Sequence, residues 1–212
     1  MLDVHPLHEK IHGFRDFLLH LLTITIGLLI ALGLEGCVEW NHHRNLRNEA
    51  EANLRQETAA NQKDLAEDRS AIVEGHKQLK EITSVLEMRR DGKQVGHKSL
   101  SLNATIATLH DVSWQTAANT GALSYMEYAK VQRYAEAYQM QKQFADLQNN
   151  FVEKMPDMLS LVMTLAQDPV KISSNDAAAA LPDVRKAMSY LDAMRQIGGA
   201  LDETYTRTLK AE

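Results

Sequence analysis

"LLTITIGLLIALGLEGCVEWNHHRNL", Leu21 to Leu46, passes from an uncharged apolar run into a charged segment, and its reading decides the fold. No residue from Phe17 to Leu34 carries a formal charge, and only His20, Thr23 and Thr25 there are appreciably polar. A membrane-spanning helix needs about 20 mostly apolar residues, so Phe17 to Val38 suffices if Glu35 and Glu39 lie at the far headgroup boundary. Core helices of soluble proteins rarely contain so long an uncharged run, and the segment reads as a membrane anchor. A secretory signal is the competing reading, since Lys10 and Arg15 precede the run and Ala31-Leu32-Gly33 places small residues at cleavage spacing. The run is longer than the ~7–15 apolar residues usual in such signals, which favours an anchor that is retained.

Within the segment, Gly27, Ala31 and Glu35 recur every four residues and share one helix face, while Gly33 and Cys37 form a second small pair. Small residues at that spacing let helices approach closely in lipid, so Gly27, Ala31, Gly33 and Glu35 are the expected helix-packing positions. Glu35 reads first as an interfacial carboxylate; the sharper reading buries it between subunits or beside a proton path. His20 is not its direct partner, because the two stand ~22 Å apart along a helix. Lys10 and Arg15 on one side nearly balance Arg44 and Arg47 on the other, so charge alone gives no orientation.

The residues Gly27, Leu28, Leu29, Ile30, Ala31 and Leu32, followed by Trp40 and Asn41, resemble an uncharacterised bacterial family of small single-span membrane proteins. Members of that family carry a Gly-Ile-Leu-Ile-Ala-Leu segment, then Trp-Asn and a charged helix. "SWQTAANTGALSYMEY", Ser113 to Tyr128, is similar to a second patch in such proteins, whereas Glu35-Gly36 departs from the polar amides many members have there. The resemblance implies an anchor in the bacterial inner membrane and a helical domain on the periplasmic side. It implies no catalytic residues.

The remainder of the chain reads as helical. Its 212 residues include 10 glycines and 4 prolines, few for a turn-rich fold. The net charge of −5 lacks the basic field that phosphate recognition requires, which argues against nucleic acid as a partner. Cys37 is the only cysteine, excluding an internal disulfide and any zinc site built on paired cysteines.

From Gly36 to Asp91 no proline interrupts a sequence rich in helix-forming Glu, Arg, Ala, Gln and Lys, so the anchor helix is expected to continue. Leu65, Ile72, Leu79 and Leu86, seven apart, mark an apolar seam. The companion positions Asp68, Gly75, Ile82 and Arg89 are mostly not apolar, so the seam is assigned to packing on later helices of the chain rather than to a regular coiled coil. "RRDGKQVGHKS", Arg89 to Ser99, reads as the reversal. Ser99 or Ser101 is expected to cap a helix through about Val112, and Trp114 to Asn119 a short helix ended by a left-handed Gly121.

Ser124 and Glu127 have capping-box spacing and are expected to open a long helix. Tyr125, Tyr128, Tyr134, Tyr138, Phe144, Leu147 and Phe151 form its aromatic and aliphatic stripe. Pro156 is expected to kink or restart that helix, and Asp168-Pro169 to end it. "KISSNDAAAALPD" reads as a connector before a last helix from about Asp183 to Leu209, with Ala187, Leu191, Met194, Gly198, Leu201 and Tyr205 on one side. The expected fold is all-α: a short flank (residues 1–16), a transmembrane helix (17–38) and an antiparallel bundle of about four helices (39–212).

His5, His8 and His12, together with His42-His43, invite a metal hypothesis. Pro6 and Gly13 make the amino terminus irregular, however, and neighbouring histidines on a helix point about 100° apart, so these side chains read as headgroup neighbours. No phosphate-cradling glycine loop and no nucleophile elbow occurs, and no cofactor is expected. Two functions remain: a non-enzymatic anchored scaffold whose partners are the lipid bilayer and further copies or other membrane subunits, and a tethered sensor binding a ligand near Trp114, Thr120, Gly121 and Tyr125.

Overall fold

Helix-forming composition and a heptad-like apolar pattern produce three long helices with one short one between them. The structure, a computed structural model, describes residues 13–96, 100–102, 106–167 and 172–210. Helix α1 covers Phe14–Arg90, α2 Val112–Asn119, α3 Tyr128–Gln167 and α4 Ser174–Lys210, with a 3-10 turn at Ala122–Tyr125. The chain is all-α, and no strand occurs among the described residues. It divides into two compact units, Met1–Asn48 and Glu49–Glu212.

In the first unit α1 holds the one described stretch long and apolar enough to cross a membrane, and none of that stretch is buried within the protein. Two of its polar groups are satisfied locally: the Thr23 hydroxyl donates to the Leu19 carbonyl (2.9 Å) and Thr25 to Leu21 (2.8 Å). A helix that satisfies its own hydrogen bonds in this way is compatible with a surrounding free of water.

In the second unit, α1 buries Leu54, Thr58, Asn61, Leu65, Asp68, Ile72, Gly75, Leu79, Ile82 and Leu86. Their steps of four and three residues form one continuous stripe. The expected seam Leu65, Ile72, Leu79 and Leu86 is fully part of it, and its companion positions Asp68, Gly75 and Ile82 are buried as well. Each aliphatic side chain removed from water in this stripe contributes roughly 1.5–3 kcal/mol.

Helix α4 runs antiparallel to α1, with Thr206 beside Gln62 at one end and Arg185 beside Glu87 at the other. It also runs antiparallel to α3, where Arg207 meets Glu136 and Gly198 faces Phe144. Consequently α3 lies parallel to α1, with Lys130 on Glu51 and Gln148 on Asp68. All six residues expected on the inner face of α4 are buried there. A Cβ at Gly198 would stand 3.1 Å from the Phe144 ring, so this glycine leaves room for that ring between α3 and α4.

Several expectations are corrected. Of the four α-helices, α2 is only 8 residues long, and the helix expected to run through about Val112 is not formed by the described residues 100–102 and 106–111 before it. Arg90 and the Ser113 amide, which donates to Glu57, are separated by most of the buried part of α1, ~50 Å at 1.5 Å per residue. A helix over residues 93–112 would reach only ~30 Å, whereas extended backbone at ~3.3 Å per residue reaches ~65 Å. The described residues from Ile106 to Asp111 are accordingly outside any helix, as are Leu100 and Leu102. The reversal itself falls where expected, with Gly92 at φ 71°. Ser101 caps no helix, and Ser99 lies outside the described residues.

Gly121 is left-handed as expected (φ 75°), but Ser124 does not cap α3; its hydroxyl donates to the Gly121 carbonyl (2.7 Å). The helix instead starts after Glu127, whose carbonyl accepts from the Lys130 and Val131 amides. Helix α3 runs through Pro156 without restarting, and α4 begins at Ser174 and runs through Pro182. The carbonyls these prolines leave without an amide partner belong to Val152 and Ala178, both exposed residues and so open to solvent. Ser173 and Asp176 close a reciprocal cap, the Asp176 amide donating to the Ser173 hydroxyl (3.1 Å) and that hydroxyl to the Asp176 carboxylate (2.7 Å). In the aromatic stripe Tyr134, Tyr138, Phe144 and Phe151 are buried and Leu147 half-buried, whereas Tyr125 and Tyr128 are exposed.

Candidate functional site

Residues 106–111 together with Ser113 in the first turn of α2, here called the strap, are held to α1 and α3 by side chains. Three α1 residues on one stripe, Glu57, Asn61 and Asp68, each accept a strap backbone amide: Ser113 on Glu57 (3.0 Å), His110 on Asn61 (2.8 Å) and Ala107 on Asp68 (3.1 Å). Asn61 also donates from Nδ2 to the His110 carbonyl (2.6 Å), pairing with both backbone groups of one residue as a neighbouring strand would.

A second layer comes from α3 and α4. Gln141 Nε2 donates to the same His110 carbonyl (2.9 Å), while Gln141 Oε1 accepts from Asn61 (3.1 Å) and from the Tyr205 hydroxyl (2.6 Å). Tyr138 donates to Glu57 (2.7 Å) and Gln148 to Asp68 (3.0 Å). Burial, with the Glu57 carboxylate adding to it, pushes the Tyr138 and Tyr205 phenols well above their ordinary value. They act here as neutral donors.

Asp68 differs from the rest because it is ionisable and only 1% exposed. Burial pushes its carboxyl up to about 6, against a smaller opposing pull from the Ala107 amide. Beside it, between α1, α3, α4 and the strap, lies a cavity of about 20 Å3 bordered by Gly75, Leu102, Ile106, Gln148 and Leu191. That is room for about one water molecule.

Trp114 is half-buried, and its ring stacks on Tyr138 with centroids 5.5 Å apart. The pair borders a groove of about 460 Å3, whose other walls include Leu109, Asp111, Gln139, Lys142 and Ala145. Thr120, Gly121 and Tyr125 do not line this groove; Thr120 and Tyr125 are exposed and Gly121 half-buried in the turn before α3. Gly27, Ala31, Gly33 and Glu35 are all exposed on α1, and nothing stands within 4 Å of a Cβ built at Gly27 or Gly33. His42 and His43 sit 5.9 Å apart, ring to ring, and no trio of metal-ligating side chains converges among the described residues. His5, His8 and His12 lie outside the described residues.

The polar core had a signal in the sequence. Asn61 and Asp68 are seven apart, as are Gln141 and Gln148, each pair in register with buried apolar neighbours such as Leu65 and Phe144. Polar residues repeated at core spacing on two helices point to each other or to a third element between them.

The protein is thus an all-α chain with one helix long and apolar enough to cross a membrane, near its amino terminus, and a bundle closed by a polar-pinned strap. No family model, no curated protein and no solved structure matches it.

Proposed function

We propose that this chain is a non-enzymatic, single-pass membrane protein whose helical bundle self-associates or scaffolds a larger membrane complex. The observation that carries the reading is the apolar stretch of α1, exposed along its whole length, which in water would be a large solvent-facing hydrophobic surface. Lipid and neighbouring spans are the surroundings that remove this cost, and Gly27, Ala31 and Gly33 suit close approach of a second helix. The bilayer in question is the bacterial inner membrane with the bundle on its periplasmic side, as the family resemblance implies. Glu35 serves as the boundary of the span.

Purification in mild detergent followed by native mass spectrometry tests the proposal, with a discrete oligomer or a stoichiometric membrane partner expected. A lone monomer, or a protein released from membranes by carbonate at high pH, refutes it. Replacing Gly27 and Ala31 with leucine should weaken the assembly. A second reading, a tethered ligand-binding module, is favoured by the groove beside the stacked Trp114 and Tyr138 rings. A small molecule that co-purifies and is lost on Trp114→Ala would support it over the scaffold.

A further inference from the structure

The groove beside Trp114 has a rigid aromatic wall and a polar lining of one dominant sign. Glu57 accepts both the Tyr138 hydroxyl (2.7 Å) and the Ser113 amide (3.0 Å), and the Trp114 ring stacks on Tyr138 at an interplanar angle of 24°. Trp114 is half-buried, and the part of the indole that Tyr138 leaves open borders the groove. On α3, Ala135 and Ala145 are small side chains about one turn before and two turns after Tyr138, which keeps the helix surface low on either side of the rings. The volume of about 460 Å3 falls in the range of small-molecule sites, ~300–1,000 Å3.

Charge narrows what such a groove takes. Asp111 lines it, with Oδ2 accepting from Gln115 (2.8 Å) and Oδ1 without a partner among the described residues. Glu57 adds a second carboxylate behind Tyr138. Lys142, the cation among the lining residues, lies 3.6 Å from the Asp146 carboxylate. Three carboxylates against one ammonium, together with the electron-rich face of an indole, favour a positive ligand.

The hydrogen-bond inventory then selects the kind of cation. Gln141 is fully engaged, its Nε2 with the His110 carbonyl and its Oε1 with Asn61 and Tyr205. Asp111 and the exposed Gln139 are the remaining carboxylate and amide acceptors among the lining side chains. A primary ammonium has three N–H donors to satisfy and would give up hydration without recovering it here. A nitrogen carrying alkyl groups in place of hydrogens needs few acceptors or none, and spreads its charge over apolar surface that an aromatic ring attracts.

We propose that this groove binds a compact organic cation of the alkylated-ammonium class, its charged head on the Trp114 ring and beside Asp111. The assignment rests on the ligand-binding reading of the groove and adds the chemistry of the ligand. Such a head occurs on free solutes such as choline and on phosphatidylcholine, and the test separates the two.

Choline is titrated into full-length Trp40→Phe protein in dodecyl maltoside, read by Trp114 emission and by broadening of the choline methyl signal in NMR. The alcohol in which tert-butyl replaces trimethylammonium is titrated alongside as the uncharged isostere. Choline should bind roughly two- to thirtyfold more tightly than the isostere, the range that a cation over an indole corresponds to. Asp111→Asn keeps the acceptor for Gln115 and should narrow that ratio by weakening choline alone. Trp114→Leu, followed by the methyl signal, should remove the preference. In nanodiscs, a choline response present in phosphatidylglycerol and absent in phosphatidylcholine assigns the groove to a lipid headgroup, whereas an equal response in both assigns it to a free solute. Equal affinity for choline and the isostere overturns the proposal while leaving the groove a ligand site. Binding of neither overturns it too, and a different co-purifying molecule lost on Trp114→Ala would still uphold the broader reading. A preference that survives both Asp111→Asn and Trp114→Leu overturns it by placing the cation elsewhere.

Discussion

Replacing Asn61 with alanine removes the one side chain that holds both backbone groups of a strap residue. Three hydrogen bonds go, to the His110 amide, the His110 carbonyl and Gln141 Oε1. Two of the abandoned groups keep another partner: the carbonyl retains Gln141 Nε2, and Gln141 Oε1 retains the Tyr205 hydroxyl. The His110 amide has no second acceptor among the described residues and becomes the costly one. An orphaned donor at about 1–3 kcal/mol and two lost bonds at about 0.5–1.5 kcal/mol each give roughly 2–6 kcal/mol of destabilisation. Urea unfolding in a Trp40→Phe background reports it, because Trp114 then becomes the only tryptophan and its ring rests on Tyr138 beside the strap. Asn61→Asp should be worse than alanine at pH 8, since it turns an oxygen toward the His110 carbonyl and Gln141 Oε1. A loss within about 0.5 kcal/mol, the range of an ordinary surface substitution, would show that the strap is not held by Asn61.

Phe144→Ala should cost about 3–5 kcal/mol, since the ring is fully buried and packs on Gly198; a shifted urea midpoint with unchanged slope is the expected readout. Ser173→Ala should cost about 1 kcal/mol by removing the reciprocal cap of α4, visible as earlier thermal loss of helix signal. Tyr134, Tyr138 and Tyr205 are all held above the ordinary phenol value of 10.0, burial being the main cause. The fold favours their neutral forms, so stability is intact below pH 10 and falls above it. In an ultraviolet titration these three should ionise only as the bundle unfolds, and early ionisation would mean that the rings are not enclosed.

The helices were legible where apolar residues repeat at helical spacing. Leu65, Ile72, Leu79 and Leu86 on α1, and Ala187 to Tyr205 on α4, occupy the inner faces that their spacing gives. What escaped was set by partners distant in sequence. Asp68 interrupts the apolar pattern locally, and only Gln148 and the strap make its burial tolerable. Ser101 resembles a helix start, but the distance back along α1 favours extended backbone, and the described residues 106–111 are not helical. Ser124 and Glu127 have the spacing of a cap, yet Gly121 directs the serine hydroxyl backward. The start of α4 is legible in Ser173-Ser-Asn-Asp176, ahead of the connector reading that placed it at about Asp183, and Pro182 is tolerated inside the helix on an exposed face. The Trp114 groove follows from the strap's course, so tryptophan and tyrosine could be singled out but Thr120 and Tyr125 could not be separated from it.

The position of α4 bears on how the chain is made. Its partners on α1 precede it by 98 residues at Arg185–Glu87 and by 144 at Gln62–Thr206. At about 5–20 residues per second of synthesis, the apolar stripe of α1 waits on the order of ten seconds before its cover leaves the ribosome. During that interval Leu65, Ile72, Leu79 and Leu86 are bare, which makes this stripe the natural substrate of a holding chaperone and the place where a nascent chain would stick to its neighbours. Yield in cells should therefore respond to translation speed through α3 and α4 more than to the stability of the finished bundle.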